Sequence, residues 1–378
     1  MKKTLFTFQY VYLILAIGFL FFSSLASAST VNGFTVKGST GYGYDDNVLY
    51  SHENEVSDFF TKVKLGLELL LERKTQSLEA EVDLSRQIFN DHTELDNFSQ
   101  FFKLIFKKEL SKYTRLRIDD NFEHAEEATS FAEEFGRVGG RFDTYKNTLS
   151  FDIDKELTPH NVLNFYLGNE IKEVEREDLQ DSIQNNLGLQ WNILASPKTS
   201  GFIKYDFTHR LIDSSDNAVL QTIAPGFKRY LTRQVYFTSY AGANVIHTFS
   251  EDDIVRPVFY AAISDELDKV STFTLAYQKK HITTGFDSDI FDQWRVTLDY
   301  EREFFERLKG NVSLFYGEGD FIIRDISEKL HGFDIGIAYS LTRNWQANLT
   351  YRYVLKDSRE VTRDYEKNLA FFGFTFRF

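Results

Sequence analysis

The 378-residue chain contains no cysteine, four prolines and one methionine. The absence of thiols excludes disulfides and thiolate metal sites. It suits an exported protein, which would otherwise risk mispairing in an oxidising compartment. Beyond residue 28 there is no run of some 18 apolar residues, so no membrane helix is expected, and a membrane protein with this sequence would have to be a barrel. A basic excess is lacking too: 43 Lys and Arg face 56 Asp and Glu, a formal net charge of -13, which argues against nucleic acid as a partner.

Aromatic residues are abundant, with 38 Phe and 20 Tyr, yet mean hydropathy is only -0.33. Many rings at modest mean hydropathy suit strands that are apolar on one side and wet on the other. The amino terminus reads as a secretory leader. Lys2 and Lys3 precede an apolar stretch, and Ala26-Ser27-Ala28 supplies the small-x-small pattern before a cleavage site. The expected organisation is therefore a signal peptide over 1–28 and one barrel over 29–378.

After the leader the sequence alternates between two kinds of segment. One kind is a run of about ten residues with a polarity period of two. In "LEAEVDLS", Leu78, Ala80, Val82 and Leu84 share one face, while Glu79, Glu81, Asp83 and Ser85 share the other. "VTLDYE" from Val296 and "QANLTYRY" from Gln346 repeat the pattern. The connectors are sorted by length. Short ones such as "KELSKYT", "KELTPHN" and "YSLTRN" alternate with long polar ones such as "NDHTELDN" and "LKDSREVTRDYE". Soluble strands run shorter and their turns need no such sorting. The expected fold is an all-β, transmembrane, antiparallel up-and-down β-barrel of about 18 strands, or 16, with short periplasmic turns and long extracellular loops. The chain ends in "FFGFTFRF". There Phe372, Phe374, Phe376 and Phe378 form a lipid-facing row on the strand that closes the barrel against the first. A terminal Phe in such a strand also resembles the assembly signal read by the outer-membrane insertion machinery.

The face opposite the lipid is expected to carry Lys62, Lys64, Glu79, Glu81, Asp83, Lys103, Lys107, Arg115, Arg117, Asp152, Asp154, Asp299, Glu301 and Arg352. Early strands alternate in sign, which places opposite charges within cross-strand reach. Such charges either pair to stiffen the wall or guide a polar solute through a hydrated conduit. Barrels of 16 to 18 strands are wide enough for an aqueous channel. The candidate for an inward-folding loop is Ala125 to Asp143, with Gly136, Gly139 and Gly140 for flexibility.

Catalysis finds little support. The histidines at 52, 92, 124, 160, 209, 247, 281 and 331 are scattered, and no Gly-rich phosphate loop or zinc pair is present. No cofactor is expected. Asp45, Asp46 and Asn47 in "YDDN" offer oxygen ligands for calcium, against the plainer reading of a solvated turn.

The segment from Tyr44 to about Phe89 has an aromatic-rich strand before an Asp-Asp-Asn turn, a "SDF" start to the next strand, and two strands joined by a short basic turn. It resembles the Putative β-barrel porin type 2 family, found with exopolysaccharide and capsule biosynthesis systems of Gram-negative bacteria. The resemblance implies residence in the outer membrane and help with the passage of a surface polysaccharide, and it brings no catalytic residues. Expected partners are outer-membrane lipid and lipopolysaccharide, the insertion machinery, and on this reading the polysaccharide and periplasmic export proteins. The alternatives are a general or substrate-specific porin for small polar solutes, and a structural or adhesive barrel acting through acidic loops.

Overall fold

The computed structural model describes residues 31–378 except 129, 213–216, 249–252, 269 and 284–288; the leader expected over 1–28 lies outside the described residues. The first nine strands are β1 (Val31–Asp45), β2 (Asp58–Arg73), β3 (Gln76–Phe89), β4 (Asn97–Ser111), β5 (Thr114–Ala125), β6 (Thr144–Thr158), β7 (Asn161–Val174), β8 (Ser182–Ser196) and β9 (Thr199–Ile212). The remaining nine are β10 (Ala218–Tyr230), β11 (Val235–Thr248), β12 (Ile254–Asp268), β13 (Ser271–Thr283), β14 (Ile290–Phe305), β15 (Leu308–Phe321), β16 (Ser327–Ser340), β17 (Trp345–Ser358) and β18 (Tyr365–Arg377). Each pairs antiparallel with its sequence neighbours, and β1 pairs with β18, so one 18-stranded sheet closes on itself and leaves no edge.

The strands run 12 to 16 residues, longer than the ten or so expected, because the sheet continues past the hydrocarbon layer, which a tilted strand crosses in about 9–11 residues. One interruption of the ladder has a local cause. In "QTIAPGFKRY", Pro225 has no N–H to donate, and the β10–β11 ladder skips Ala224 and Pro225 between Ile223↔Ala243 and Gly226↔Tyr240.

The alternation sorts side chains between two solvents. On β2, Val63, Leu65 and Leu67 are exposed on the outer surface, and the outward ladder of β18 ends in exposed Phe372, Phe374 and Phe378. The closing register sets Thr40 opposite Phe374 and Gly38 opposite Phe376, whose ring lies across the glycine. A Cβ at Gly38 would come within 2.0 Å of that ring. The carboxy-terminal residue is tied in by reciprocal backbone bonds with Val36 of 2.8 and 2.9 Å. Further round, Phe259, Tyr277, Trp294 and Tyr316 form a chain of outward rings with centroids 5.3–6.1 Å apart. Outward rings are what the aromatic girdles of membrane barrels are built from.

Candidate functional site

The opposite residue parity faces the lumen, and the register places all fourteen of the charged residues named above on that side. Many are paired. Lys64 meets Asp83 at 2.6 Å, Lys103 meets Glu79 at 3.8 Å, and Arg117 meets Asp119 at 2.6 Å. Arg115 lies 3.9 Å from Asp154, and Arg352 3.1 Å from Asp334. Glu81 is held by Lys37 at 3.0 Å, and the same lysine reaches Glu68 at 2.8 Å.

The loop over 126–143 folds into this lumen. It leaves β5 and returns to β6, but its tip docks on β14 to β17, about half the circumference away in the strand order. Ser130 caps a single helical turn, α1 (Phe131–Glu134), accepting from the Glu133 N–H at 3.3 Å. Gly136 and Gly140, at φ of 84° and 105°, then turn the chain back through a conformation that side chains resist. Phe131 and Phe135 join Phe291, Phe315, Phe321, Leu330 and Val354 in the largest apolar cluster inside the barrel. The Phe135 ring lies 4.9 Å from that of Phe291 and 5.7 Å from that of Phe315. Docking this close depends on two wall glycines. A Cβ at Gly332 would fall 2.4 Å from the Phe131 ring, and one at Gly317 2.9 Å from the Phe135 ring.

A polar latch surrounds the apolar contact. Glu328, fully buried, accepts from the Gly136 N–H at 3.1 Å and pairs with Lys356 and Arg363, each at 3.0 Å. Lys356 also donates to the carbonyls of Glu134, at 3.3 Å, and Arg137. On the near side Arg141 bridges Glu126 at 3.0 Å and Glu127 at 3.1 Å, Tyr50 donates to Glu127 at 3.1 Å, and Lys146 pairs with Glu133. Burial alone would raise the Glu127 carboxyl, but the charges of Lys367, Arg141 and Lys62 outweigh it and hold the group at about 2. Glu134 behaves oppositely. Burial pushes it up to about 7 despite the attraction of Arg352, Lys367 and Lys356.

Cavities flank the loop. One of about 440 Å³ is lined by Glu133, Arg137, Lys146, Glu170, Lys172 and Lys280. Another of about 770 Å³ is lined by Lys62, Lys64, Asp83, Gln87, Glu126 and Arg352. A third, of about 1110 Å³, opens towards the short turns among Lys107, Arg115, Arg117, Asp119, Asp152 and Asp154. Of the expected lumen residues, Lys62, Lys64, Asp83 and Arg352 thus lie beside the constriction and the Arg115–Asp154 group lies below it. Asp299 and Arg352 border a cleft under α1. Glu328, Lys356, Lys172 and Lys280 were not singled out by the sequence reading. Their signal was only their place in the inward parity of strands whose ends look like loop.

In the "YDDN" turn, the residues considered for calcium have protein partners. Asp45 pairs with Lys367 at 2.8 Å, and Asp46 accepts both the backbone N–H, at 2.6 Å, and the side-chain amide, at 2.7 Å, of Asn368. Asn47 donates to the Ser51 and Glu366 carbonyls at 2.7 and 2.8 Å. The three residues tie the first loop to β18. Among the described residues no group of three His, Asp or Glu is placed to hold a metal.

Residues 274–378, from within β13 to the end, match the family model Putative beta-barrel porin 2. The match lies at the opposite end of the chain from the Tyr44–Phe89 segment. No curated protein matches the sequence. Among solved structures, the outer membrane protein OpdK of Pseudomonas aeruginosa is similar at 11% identity over 93% of this chain and 98% of that one, with a TM-score of 0.48. OccAB3 of Acinetobacter baumannii gives 11% identity, 92% and 99% coverage and 0.48. The siderophore receptor PirA of Pseudomonas aeruginosa gives 9%, 91% and 80%, and 0.44. A closed, even-stranded antiparallel barrel with an apolar outer band is the form in which chains cross the outer membrane of Gram-negative bacteria. This chain is such an outer-membrane barrel, with its last strands similar in sequence to a β-barrel porin family.

Proposed function

We propose that the protein is a passive outer-membrane channel for small polar solutes, of the general or substrate-specific porin kind, in which the loop over 126–143 sets the size limit. One observation carries the reading: the loop crosses a charged lumen and is fastened to the far wall by Phe131, Phe135 and the Gly136–Glu328 bond. Such a constriction narrows a passage while leaving cavities beside it. No bond chemistry is involved, and the driving force is the solute gradient. Outer-membrane lipid, lipopolysaccharide and the insertion machinery are the partners this reading requires.

Export of an exopolysaccharide or capsular polymer, with periplasmic export proteins as partners, is the finer role implied by the resemblance. A polymer strand would have to swing the loop off β14 to β17, so the docked geometry favours small solutes. The test is liposome swelling with neutral solutes of graded size, comparing the native protein with a variant whose residues 127–142 are replaced by a short Gly-Ser linker. A sharp size cut-off that moves to larger solutes in the variant supports the channel reading. Equal impermeability of both, with correctly folded barrels, overturns it.

A further inference from the structure

The outer face carries charge as well as rings, and near the short turns that charge is mostly basic. Lys108 on β4, Lys155 on β6, Arg229 on β10 and Arg302 on β14 have the outward parity, are exposed, and lie within three residues of their strand ends. Strand alternation divides charge across the wall at this level. The residue after Lys108, Lys155 and Arg302 is Glu109, Glu156 or Glu303, and it has the lumen parity. Inside, Glu156 meets Arg115 at 3.6 Å, and Glu303 pairs with Lys309. Outside, the ladder sets Gln76 and Leu116 beside Lys108, and Thr114 and Leu163 beside Lys155. Thr199 and Phe237 stand beside Arg229. Two places either way along those neighbouring strands there is no acid. The outward acid at this end among the described side chains is Asp265 on β12, half-buried between Val235 and Phe273.

These cations sit inside the apolar rows, not past them. Two places nearer the turn stand Leu110, Leu157, Leu231 and Phe304, each 51–54% exposed. Two places the other way stand Phe106, Ile153, Phe227 and Tyr300. A cation flanked in this way lies at the edge of the hydrocarbon, where its stem follows apolar surface and its head seeks a polar partner. The long-loop end is built differently. Its outward lysines have protein counter-ions: Lys279 lies 3.7 Å from Asp292, and Lys329 lies 3.4 Å from Glu318. Exposed Asp320, Asp357 and Glu366 share that outward face.

We infer that the basic band at the short turns is a binding site for anionic phospholipid, with the headgroup phosphate as its ligand. A phosphate takes charge-assisted hydrogen bonds from ammonium and guanidinium groups. The acyl chains below it cover the apolar rows on either side of each cation, which neither free phosphate nor an acidic protein would do. Lys112, Lys198, Arg233 and Arg343 stand exposed in the turns and add attraction for the same leaflet. The site is selective for one lipid charge and one leaflet, beyond the general lipid contact of a barrel, and it does not depend on conduction.

Trp191 is the local reporter. It is exposed on the outer face of β8, and Leu163 separates it from Lys155 across the ladder, two strand spacings or about 10 Å. Three tryptophans are present in all, so W294F/W345F leaves Trp191 alone. That protein, purified from outer membranes, is reconstituted into phosphatidylcholine vesicles containing brominated phosphatidylglycerol, or brominated phosphatidylcholine as reference. Quenching of Trp191 gives the relative affinity of the two lipids. The expected result is a preference for phosphatidylglycerol of about threefold or more at about 0.1 M salt. K108Q/K155Q/R229Q should abolish it. K155Q alone should lower it more than K198Q/R233Q, although the latter removes more charge. Heat-modifiable gel mobility confirms that the variants fold. No preference in the native background overturns the site, as does an effect that follows only the number of charges removed. Displacement by inorganic phosphate beyond that by chloride at equal ionic strength would assign the cations to a free anion. Retention of polyglutamate by the same cations, without a lipid preference, would assign them to an acidic protein. Either result overturns the lipid site.

Discussion

Glu328 has three partners and almost no contact with solvent: Lys356, Arg363 and the Gly136 N–H all converge on one carboxylate. A buried ion cluster of this kind contributes little net stability when intact but is costly to break, about 3–5 kcal/mol when one partner is removed. E328A is expected to lower unfolding free energy by that order in lipid vesicles and to release the loop tip. A loss within about 1 kcal/mol, typical of exposed pairs, would mean that water already reaches the cluster. Glu134, two residues before Gly136 in the docked loop, makes the latch respond to pH. Its carboxyl stands at about 7, above the ordinary 4.5, because burial disfavours its charge. The docked loop therefore holds this proton more tightly than the undocked loop does. Docking is favoured at low pH, and the advantage fades as pH rises from about 4.5 to 7, an effect of order 3 kcal/mol in total. Single-channel current should be quiet near pH 5 and noisier near pH 8, and E134Q should remove the difference. An unchanged pH dependence in E134Q would place the titrating group elsewhere.

At the scale of elements, strands and loop were legible to different degrees for a physical reason. A strand between lipid and water must alternate, so "LEAEVDLS" and "FFGFTFRF" announce both their structure and their orientation in any context. Opposite charges on neighbouring lumen strands attract, which made the alternation of Lys64, Asp83 and Lys103 readable, even though Glu68 faces Glu81 and Lys107 faces Arg117 across the ladder. The loop's length and its glycines marked it as able to fold inward, but where it lands depends on contacts nearly two hundred residues away. Nothing local to Phe131 points to Gly332, and nothing in "GDFIIRDISEK" shows that Glu328 lies at the beginning of a strand and faces inward. The same distance in sequence hid the role of Asp45 to Asn47, whose partners Glu366, Lys367 and Asn368 lie on the last strand. The docking geometry can be tested with one methyl group. G332A places a Cβ 2.4 Å from the Phe131 ring, too close to accommodate without movement, so the loop should lift while the wall stays paired. The expected result is a larger, less steady conductance with native heat-modifiable mobility. Unaltered conductance would show that Phe131 does not set the position of the loop.

Over the whole molecule, net charge and the charge of the passage are different quantities. The chain is acidic, at -13, but many of its acids lie in the loops and others are neutralised in the wall, as Asp83 is by Lys64 and Asp334 by Arg352. On the lumen surface from β9 to β14, Lys204 is paired with Asp206 and the acids Asp299 and Glu301 lie towards the short turn after β14, while Lys228, Lys280 and Arg295 face uncharged partners across the ladder. A permeating ion feels the charges within a Debye length, about 10 Å at 0.1 M salt and 3 Å at 1 M. It therefore responds to these lysines and Arg295 more than to the distant loop tips. The expected outcome is a modest preference for chloride over potassium, opposite to what net charge implies. It should be read as the zero-current potential in a tenfold KCl gradient centred near 0.1 M. The preference should shrink when both sides are raised towards 1 M, and K280Q/R295Q should move the potential towards the cation side with little change in open-pore current. A cation preference in the native protein would mean that the acidic loops reach over the mouth and dominate the field. The double substitution would then leave the potential where it was.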